Sequence, residues 1–177
     1  MSCNRLLKGL FPLAFIAVLV LAGCNSGAPA QQSTLPSGEN GVSSSDSTRY
    51  KPVWITPELN GDQLSVSLNT ILNSKMAHFW VTMPSGKEGF MAYRMDGVTY
   101  VRASICPPCR STSFSLEKGV LVCDTCGTRF NAKTGQGISG ACVNYPKAEA
   151  ATTPQGDALV MTQSGLAAAY ADTLKMG

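Results

Sequence analysis

The sequence has few of the residues on which hydrolytic enzymes and nucleic-acid-binding proteins depend. Its 177 residues include a single histidine, His78, and only 14% are charged. With one imidazole as the sole candidate base, a Ser-His-Asp catalytic set has little support, and no glycine loop of the phosphate-binding kind is present. The formal charge of +3 gives no reason to expect a nucleic-acid partner. We therefore favour a non-enzymatic binding or electron-transfer protein.

The sequence also lacks an apolar run long enough to cross a bilayer as a helix. The run from Leu10 to Ala22 has 13 residues and is broken once by Pro12. A span needs about 20 residues, whereas the core of a signal peptide is shorter and follows basic residues such as Arg5 and Lys8. Residues 1–24 are interpreted as a leader, with an uncleaved membrane anchor as the alternative.

The leader ends in Leu21-Ala22-Gly23-Cys24. This stretch resembles the bacterial lipoprotein box, and the resemblance implies cleavage before Cys24 and lipidation of its sulfur and new N-terminus. Loss of the two basic leader residues leaves 12 basic and 11 acidic groups, a formal charge of +1. Residues 25–49 are mostly Ser, Gly, Pro, Gln and Asn, with too little apolar surface to fold. They are expected to form a flexible tether from the membrane to a domain over residues 50–177.

Four of the seven cysteines form two CxxC pairs. Cys106 and Cys109 are the first pair and Cys123 and Cys126 the second, with 13 residues between the pairs. A tight turn within such a pair directs both sulfurs at one ion, so the two pairs can supply four thiolates. Sulfur ligands favour zinc, a single iron or an iron-sulfur cluster. The spacing predicts a metal site and leaves the identity of the metal open.

Other uses of these residues stay open. The segment Cys106-Pro107-Pro108-Cys109 could be a thiol-disulfide redox pair, although the residues after it read as turn and strand rather than the usual helix. Structural disulfides are a further alternative in an exported protein. Cys142 is unpaired and could be an extra ligand, a disulfide partner or a buried small hydrophobe. His78, with Met76 and Met83, could attract copper, but a lone histidine on a strand is more often structural.

The pattern from Tyr50 onward indicates short strands. Strand-like runs lie at Pro52–Thr56, Leu64–Leu68, His78–Met83, Gly89–Arg94, Val98–Ala103, Ser113–Leu116, Val120–Val122 and Ala158–Thr162. Asp96-Gly97 and Glu117-Lys118-Gly119 are hairpin turn sequences, and the second would return the chain so that the two CxxC pairs meet. Ser164 is expected to cap a short helix that ends near Leu174.

From the first CxxC onward the motifs follow one order: CxxC, a hairpin, CxxCG, a phenylalanine three residues later, glycine-rich sequence, a cysteine and a proline. The residues that carry this pattern are Cys106, Cys109, Cys123, Cys126, Gly127, Phe130, Gly135, Gly140, Cys142 and Pro146. In this pattern the chain resembles the FtrD-like family of membrane iron-sulfur proteins. With the preceding strands and the C-terminal helix, the resemblance covers residues 64–177.

The segment of Gly127, Phe130, Thr134 and Gly135 also resembles the one that follows the second ligand pair in Rieske domains. In those domains each ligand pair includes a histidine, whereas this chain has cysteine at all four places. The resemblance therefore implies a mainly β fold, a Rieske-like β-sandwich with two CxxC metal knuckles and a short C-terminal helix. It does not imply a cluster with histidine ligands.

The family resemblance implies a membrane-associated protein with an iron-sulfur cluster or iron as its cofactor. Together with the resemblance of the leader to the lipoprotein box, it implies a lipid-anchored protein on the extracytoplasmic face of a bacterial cell membrane. Some family members accompany ferrous iron uptake as a proposed electron carrier. The expected partners are the membrane, through the lipid anchor, and a membrane redox or iron-transport protein. The alternatives are a zinc-ribbon-like binding module with structural Zn²⁺ and a CxxC thiol-disulfide oxidoreductase.

The leader bears on the choice of cofactor. Cluster proteins generally cross the membrane folded, by the twin-arginine route, but this leader has a lone Arg5 and resembles an ordinary Sec signal. A passenger that crosses unfolded cannot carry a preassembled cluster. Either the cluster is assembled outside the cytoplasm, or the site holds zinc or a single iron.

Overall fold

A computed structural model describes residues 41–177, so the interpreted leader, Cys24 and residues 25–40 lie outside the described residues. The described chain contains thirteen strands and two helices, one after the fourth strand and one at the end. The elements are β1 Arg49–Tyr50, β2 Val53–Trp54, β3 Glu58–Asn60, β4 Gln63–Ser67, α1 Leu68–Ser74, β5 Met76–Met83, β6 Gly86–Met95, β7 Val98–Ala103, β8 Phe114–Glu117, β9 Val120–Cys123, β10 Arg129–Asn131, β11 Gly137–Ser139, β12 Thr153–Gln155, β13 Ala158–Thr162 and α2 Gln163–Thr173.

The described strands form three sheets. One has the order β1-β8-β9-β10-β11, the second β2-β5-β6-β7 and the third β12-β13-β4-β3. Neighbouring strands are antiparallel, except that β2 runs parallel to β5. The prediction of a mainly β fold that ends in a short helix is confirmed.

Two hairpins are closed by turns that need a left-handed backbone. Asp96 and Gly97 have φ of 45° and 82°, and Lys118 and Gly119 have φ of 50° and 72°. Two successive residues with positive φ form the turn whose twist suits a two-residue hairpin loop. The second hairpin joins β8 to β9 and pairs Phe114 with Cys123, which brings the second CxxC back alongside the residues that follow the first.

Strand β6 separates two apolar cores because its side chains alternate between the two faces of the sheet. Phe90 and Ala92 belong to a core that also contains Leu159 and Leu166, the latter from α2. Met91, Tyr93 and Met95 belong to a second core. That second core includes Phe114, Phe130 and the buried cysteines Cys106, Cys123 and Cys142. The cysteine region is thus built into a hydrophobic core rather than attached to the surface.

Helix α1 was not predicted from the sequence. The run Leu64–Leu68 was expected to be a strand throughout, but β4 ends at Ser67 and Leu68 begins the helix. The Ser67 hydroxyl accepts a hydrogen bond from the Thr70 amide, and the Asp157 carboxylate accepts one from the Asn69 amide at 2.7 Å. A helix of seven residues is stable here because a distant part of the chain caps its first turn.

Helix α2 lies where the sequence predicted the C-terminal helix, but the predicted cap was wrong. Thr162, not Ser164, is the N-cap residue, and its side chain accepts a hydrogen bond from the Gly165 amide. Leu166 and Ala169 are buried on the first core. Among residues 41–177, neither helix has the length and apolar character needed to cross a bilayer.

Residues 41–49 of the predicted tether make contacts with the folded chain. Val42 is 1% exposed, its amide donates to the Arg94 carbonyl at 2.9 Å, and it belongs to the second core. Arg49 pairs with Asp124 at 2.8 Å. The folded domain therefore begins before the predicted boundary at Tyr50 and includes Val42.

A buried arginine joins the sheet of β6 and β7 to the loops beyond β10. Arg102 is 2% exposed, and its guanidinium donates to the hydroxyl of Tyr93 and to the carbonyl oxygens of Lys133 and Lys147. It also pairs with Glu149 at 2.9 Å. A planar group with several donors is suited to hold several acceptors at fixed positions.

We predict that Arg102→Met destabilises the protein by about 3–5 kcal/mol, because it leaves buried acceptors without a donor. The measurement is the urea unfolding midpoint of the purified full chain. Glu149→Gln is the matched control, because the Glu149 side chain is 45% exposed and its loss should cost less than about 1 kcal/mol. Equal costs for the two variants would show that the buried network is not what stabilises these loops.

Candidate metal centre

The two CxxC pairs meet in space. The sulfur atoms of Cys106, Cys109, Cys123 and Cys126 all lie within 4.8 Å of one another. The shortest contacts cross between the pairs: Cys106 Sγ lies 3.9 Å from Cys126 Sγ, and Cys109 Sγ lies 3.7 Å from Cys123 Sγ. These distances are far longer than the S–S bond of about 2.05 Å, and all four thiols are free. Structural disulfides among these four residues are therefore not what the structure contains.

The two knuckles have the same backbone geometry. In each, the amide of the first cysteine donates to the carbonyl five residues later, and the residue four positions later has positive φ. The hydrogen bonds are Cys106 to Ser111 at 2.8 Å and Cys123 to Thr128 at 2.9 Å. The left-handed residue is Gly127 in the second knuckle, with φ of 72°, but Arg110 in the first, with φ of 56°. A non-glycine residue held in this region signals a backbone that its surroundings enforce.

Burial alternates within each pair. The first cysteine is buried and the second is half-buried, so the set has one side in the core and one side towards solvent. Burial raises the pKa of the Cys106 thiol well above its usual range, and it raises the pKa of Cys109 to about 11. Burial also disfavours the Cys126 thiolate, but hydrogen bonds from the side chain and backbone of Thr128 outweigh it and lower the pKa to about 6.

These thiols fit a bound metal or cluster. Closely spaced thiolates repel one another, so burial and mutual contact resist charging the whole set in the absence of a cation. A metal ion removes that resistance because its positive charge compensates the thiolates. Four soft sulfur donors suit zinc, iron and iron-sulfur clusters, whereas calcium and magnesium need oxygen ligands. The donor set thus accepts the cofactors that the sequence indicated.

Cys142 lies beside the set of four but outside it. Its sulfur is 3.7 Å from Cys126 Sγ, and the residue is 2% exposed. The Cys142 amide donates to the Thr128 hydroxyl at 3.2 Å, and the same hydroxyl lies 3.2 Å from Cys126 Sγ. Thr128 therefore links the backbone of Cys142 to the sulfur of Cys126. An extra ligand stays one of the three alternatives for Cys142, and the burial of the residue also fits a small hydrophobe.

His78 is not brought together with both methionines. His78 and Met76 lie on one face of β5, whereas Met83 lies on the other face, because side chains alternate along a strand. The His78 Nε2 atom lies 3.0 Å from the Ser104 hydroxyl, which itself donates to the Thr112 carbonyl. Burial lowers the pKa of His78 to about 4, so the ring is neutral at pH 7. The copper trio is not assembled, and His78 is a hydrogen-bonded core residue.

A buried lysine lies next to the cysteines. Lys147 has no exposed surface, and its ammonium donates to the carbonyls of Ile105 at 2.9 Å and Tyr145 at 2.8 Å. The Nζ atom also lies 4.5 Å from the ring centroid of Phe130 and 5.8 Å from that of Phe114. Burial lowers the pKa of Lys147 to about 8. The negative charge of nearby cysteine thiolates acts in the opposite direction and raises the pKa, but burial has the larger effect.

The glycine-rich segment after β10 allows close approach of the chain to Lys147. Gly135 has φ of 75°, and a Cβ atom there would overlap the Lys147 carbonyl. The Lys147 amide in turn donates to the Gly135 carbonyl at 2.8 Å. A Cβ at Gly137 would likewise overlap the backbone of Val143. These glycines allow the segment that carries Cys142 and Lys147 to pack against the chain that follows β10.

The sequence predicted the four clustered cysteines but missed the residues that support them. Thr128 and Ser111 follow the CxxC pairs by two residues and carry no motif of their own. Lys147 follows Tyr145-Pro146, and a lysine is normally expected to be exposed on the protein surface. The only sequence signal for Lys147 was its position directly after Pro146, the proline that ends the CxxC pattern. That position does not predict that the side chain is buried.

One family matches most of this region. The family described as "Membrane iron-sulfur containing protein FtrD-like" matches residues 71–171, which is more than half of the chain and includes the four clustered cysteines and Cys142. The resemblance inferred from the CxxC pattern is confirmed. The family description and the four-thiol set agree on an iron-sulfur cofactor.

Two solved structures show partial similarity to this chain. One is a ferredoxin-containing structure titled "Complex of reduced oxygenase and oxidized ferredoxin in carbazole 1,9a-dioxygenase", with 18% identity, a TM-score of 0.48 and coverage of 58% of this chain and 94% of that chain. The other is the ferredoxin of carbazole 1,9a-dioxygenase from Nocardioides aromaticivorans IC177, with 16% identity, a TM-score of 0.42 and coverage of 61% and 98%. A comparison with curated proteins gave no match.

We predict that Gly135→Ala costs about 1–3 kcal/mol more than Gly61→Ala, because only the first places a methyl group against backbone. Gly61 has a similar φ of 61° with nothing within 4 Å of the added Cβ, so its variant isolates the backbone penalty of about 1–2 kcal/mol. Urea unfolding of both variants provides the test. If the two variants lose the same free energy of unfolding, the close approach of Gly135 to Lys147 does not contribute to stability.

Proposed function

The chain belongs to the FtrD-like family of membrane iron-sulfur containing proteins, and we propose that it is a membrane-anchored electron-transfer module. Its iron-sulfur cluster would be held by Cys106, Cys109, Cys123 and Cys126. The observation that carries this proposal is the meeting of four free thiols within 4.8 Å on two knuckles of the same geometry. When bound, the cluster supplies a centre that accepts and releases single electrons.

The protein surroundings suit a redox centre with one protected side. The buried members, Cys106 and Cys123, face the core that contains Phe114 and Phe130, which excludes water. The half-buried members, Cys109 and Cys126, face outward. An electron partner would approach this outer side, because the path of an electron through the protein to the cluster would be shortest there. We expect that partner to be a membrane redox or iron-transport protein.

The thiol-disulfide alternative receives no support from the local structure. Such a site normally has its first cysteine at the N-terminus of a helix, where the helix dipole stabilises the thiolate. Here Cys106 is followed by a turn with Arg110 at positive φ and then by β8. Burial raises the pKa of the Cys106 thiol, the opposite of what a nucleophilic thiolate needs. The pKa of Cys126 is lowered to about 6, but its CxxC pair is followed by β10 and not by a helix.

A purely structural zinc is not required by the size of the domain. The described chain has two apolar cores, and the first of them contains no cysteine. Domains of this size bury enough surface to fold without a metal, whereas zinc-dependent folds are typically much smaller. This supports a functional role for the metal and agrees with the family description.

The anchor and its location complete the proposal. The family is described as a membrane protein, and no spanning helix occurs within residues 41–177. Lipidation of Cys24 would attach the protein to the extracytoplasmic face of a bacterial membrane, with the residues before Val42 as the tether. A lipid chain together with the new N-terminal modification provides the double anchor that stable attachment needs.

We predict that Cys109→Ser lowers the iron and acid-labile sulfide bound per chain at least tenfold, because a serine hydroxyl is a poor ligand for iron in a sulfur site. The measurement is iron and sulfide content after anaerobic purification from the native membrane. Cys142→Ser is the matched control, and its metal content should stay at the wild-type level. A loss of iron in Cys142→Ser as complete as in Cys109→Ser would contradict the proposed ligand set.

We predict that Cys24→Ser moves the protein from the membrane fraction to the soluble extracytoplasmic fraction, because serine cannot form the thioether to lipid. Fractionation with immunodetection, and mass spectrometry of the mature N-terminus, provide the measurement. Ser26→Ala, two residues away, is the control and should stay in the membrane. Membrane retention of Cys24→Ser would instead support an uncleaved anchor.

A further inference from the structure

The structure contains a buried cation that no carboxylate of the described residues pairs with. Lys147 has no exposed surface, and the ion pairs found within residues 41–177 do not include it. Moving an ammonium group from water to a protein interior costs several kcal/mol unless an opposite charge compensates it. A lysine normally avoids this cost by extending its flexible side chain to solvent. Lys147 does not, so its charge depends on the groups that surround the ammonium.

The groups around the ammonium belong to the cysteine centre. One acceptor carbonyl is that of Ile105, the residue before Cys106, and the other is that of Tyr145, three residues after Cys142. The two aromatic faces are those of Phe114, which pairs with Cys123 across the hairpin, and Phe130. Carbonyl oxygens and aromatic faces both attract a cation. They hold the positive charge near the buried cysteines, with whose thiolates it interacts electrostatically.

The backbone of Lys147 is fixed at both of its polar atoms. Its amide donates to the Gly135 carbonyl at 2.8 Å, and its carbonyl accepts from the buried guanidinium of Arg102 at 2.7 Å. Gly135 leaves no room for a side chain at this contact. The main chain therefore cannot withdraw the ammonium from the site without breaking the network that joins the loops to β7.

We propose that Lys147 is a positioning residue that acts as the internal counter-cation of the four-thiolate centre. Four thiolates around one metal ion or cluster leave excess negative charge, and a reduced cluster carries one more negative charge than an oxidised one. A fixed cation in a low-dielectric interior stabilises the more negative state most. Lys147 thus favours metal loading and raises the reduction potential. The redox part rests on the proposed function, whereas the metal-loading part needs only the four thiolates.

The alternative is that Lys147 serves only to satisfy two carbonyl groups. Three substitutions separate charge from hydrogen bonding. Lys147→Gln keeps a donor without the charge, Lys147→Met removes both, and Lys147→Arg keeps the charge. Lys118→Met is the matched control, because Lys118 is exposed in the turn at the far end of the β8–β9 hairpin. Circular dichroism of each metal-free variant establishes whether it folds. If Lys147→Met does not fold, Lys147→Gln distinguishes between the roles of charge and hydrogen bonding.

The first measurement is the midpoint potential of the anaerobically purified holoprotein. The two neutral variants should shift the equilibrium constant for one-electron reduction at least tenfold towards the oxidised form, a decrease of about 59 mV. Lys147→Arg should recover at least half of this shift, and Lys118→Met should match the wild type. A wild-type potential in Lys147→Gln would overturn the inference, because hydrogen bonding alone would then account for the residue.

The second measurement separates this inference from the proposed function. The metal-free full chain is titrated anaerobically with Co²⁺, whose visible bands report thiolate coordination. The affinity of the two neutral variants for Co²⁺ should fall at least tenfold, with Lys118→Met unchanged. If the native protein lacks iron-sulfur but this loss occurs, the proposed function fails and the role of Lys147 stands. Unchanged affinity in both neutral variants, or no thiolate-bound Co²⁺ in the wild type, would overturn the counter-cation.

Discussion

The constraint on which the site depends is the closeness of four cysteine sulfurs, which the fold holds within 4.8 Å of one another, so that their thiolate forms would repel. Burial and proximity disfavour charging them together, so the site favours a bound cation that compensates the thiolates. The two knuckles impose this closeness through equivalent backbone hydrogen bonds, one of them at the cost of a left-handed Arg110. The conformation favours metal binding before any metal arrives.

The rest of the fold supports this site from the core side. Strand β6 divides the interior in two, and one of the two cores contains the buried cysteines. Arg102 ties the strand next to β6 to the backbone of Lys147, and Gly135 allows that backbone to lie close. The outer side, with Cys109 and Cys126, is more open. A protected charge environment on one side and access on the other are what an electron carrier needs.

The parts of this arrangement that local sequence determines were predictable. CxxC spacing, the Asp96-Gly97 and Lys118-Gly119 turns, and alternation along the strands depend on neighbouring residues only. Features set by distant contacts were not predictable. Helix α1 depends on capping by Asp157, the cap of α2 falls at Thr162 rather than Ser164, and Lys147 is buried by residues far from it in sequence. A lysine and a short polar helix look like surface features until the fold encloses them.

The central claim is that the four-thiol centre of this FtrD-like protein carries an iron-sulfur cluster that exchanges electrons. The most direct measurement is electron paramagnetic resonance, with optical spectra, of the protein purified anaerobically from its native source. The account predicts iron and sulfide together, absorption that bleaches on reduction, and a paramagnetic signal that appears or disappears reversibly in the same step. Stoichiometric zinc with no visible absorption would contradict it and would make the centre structural.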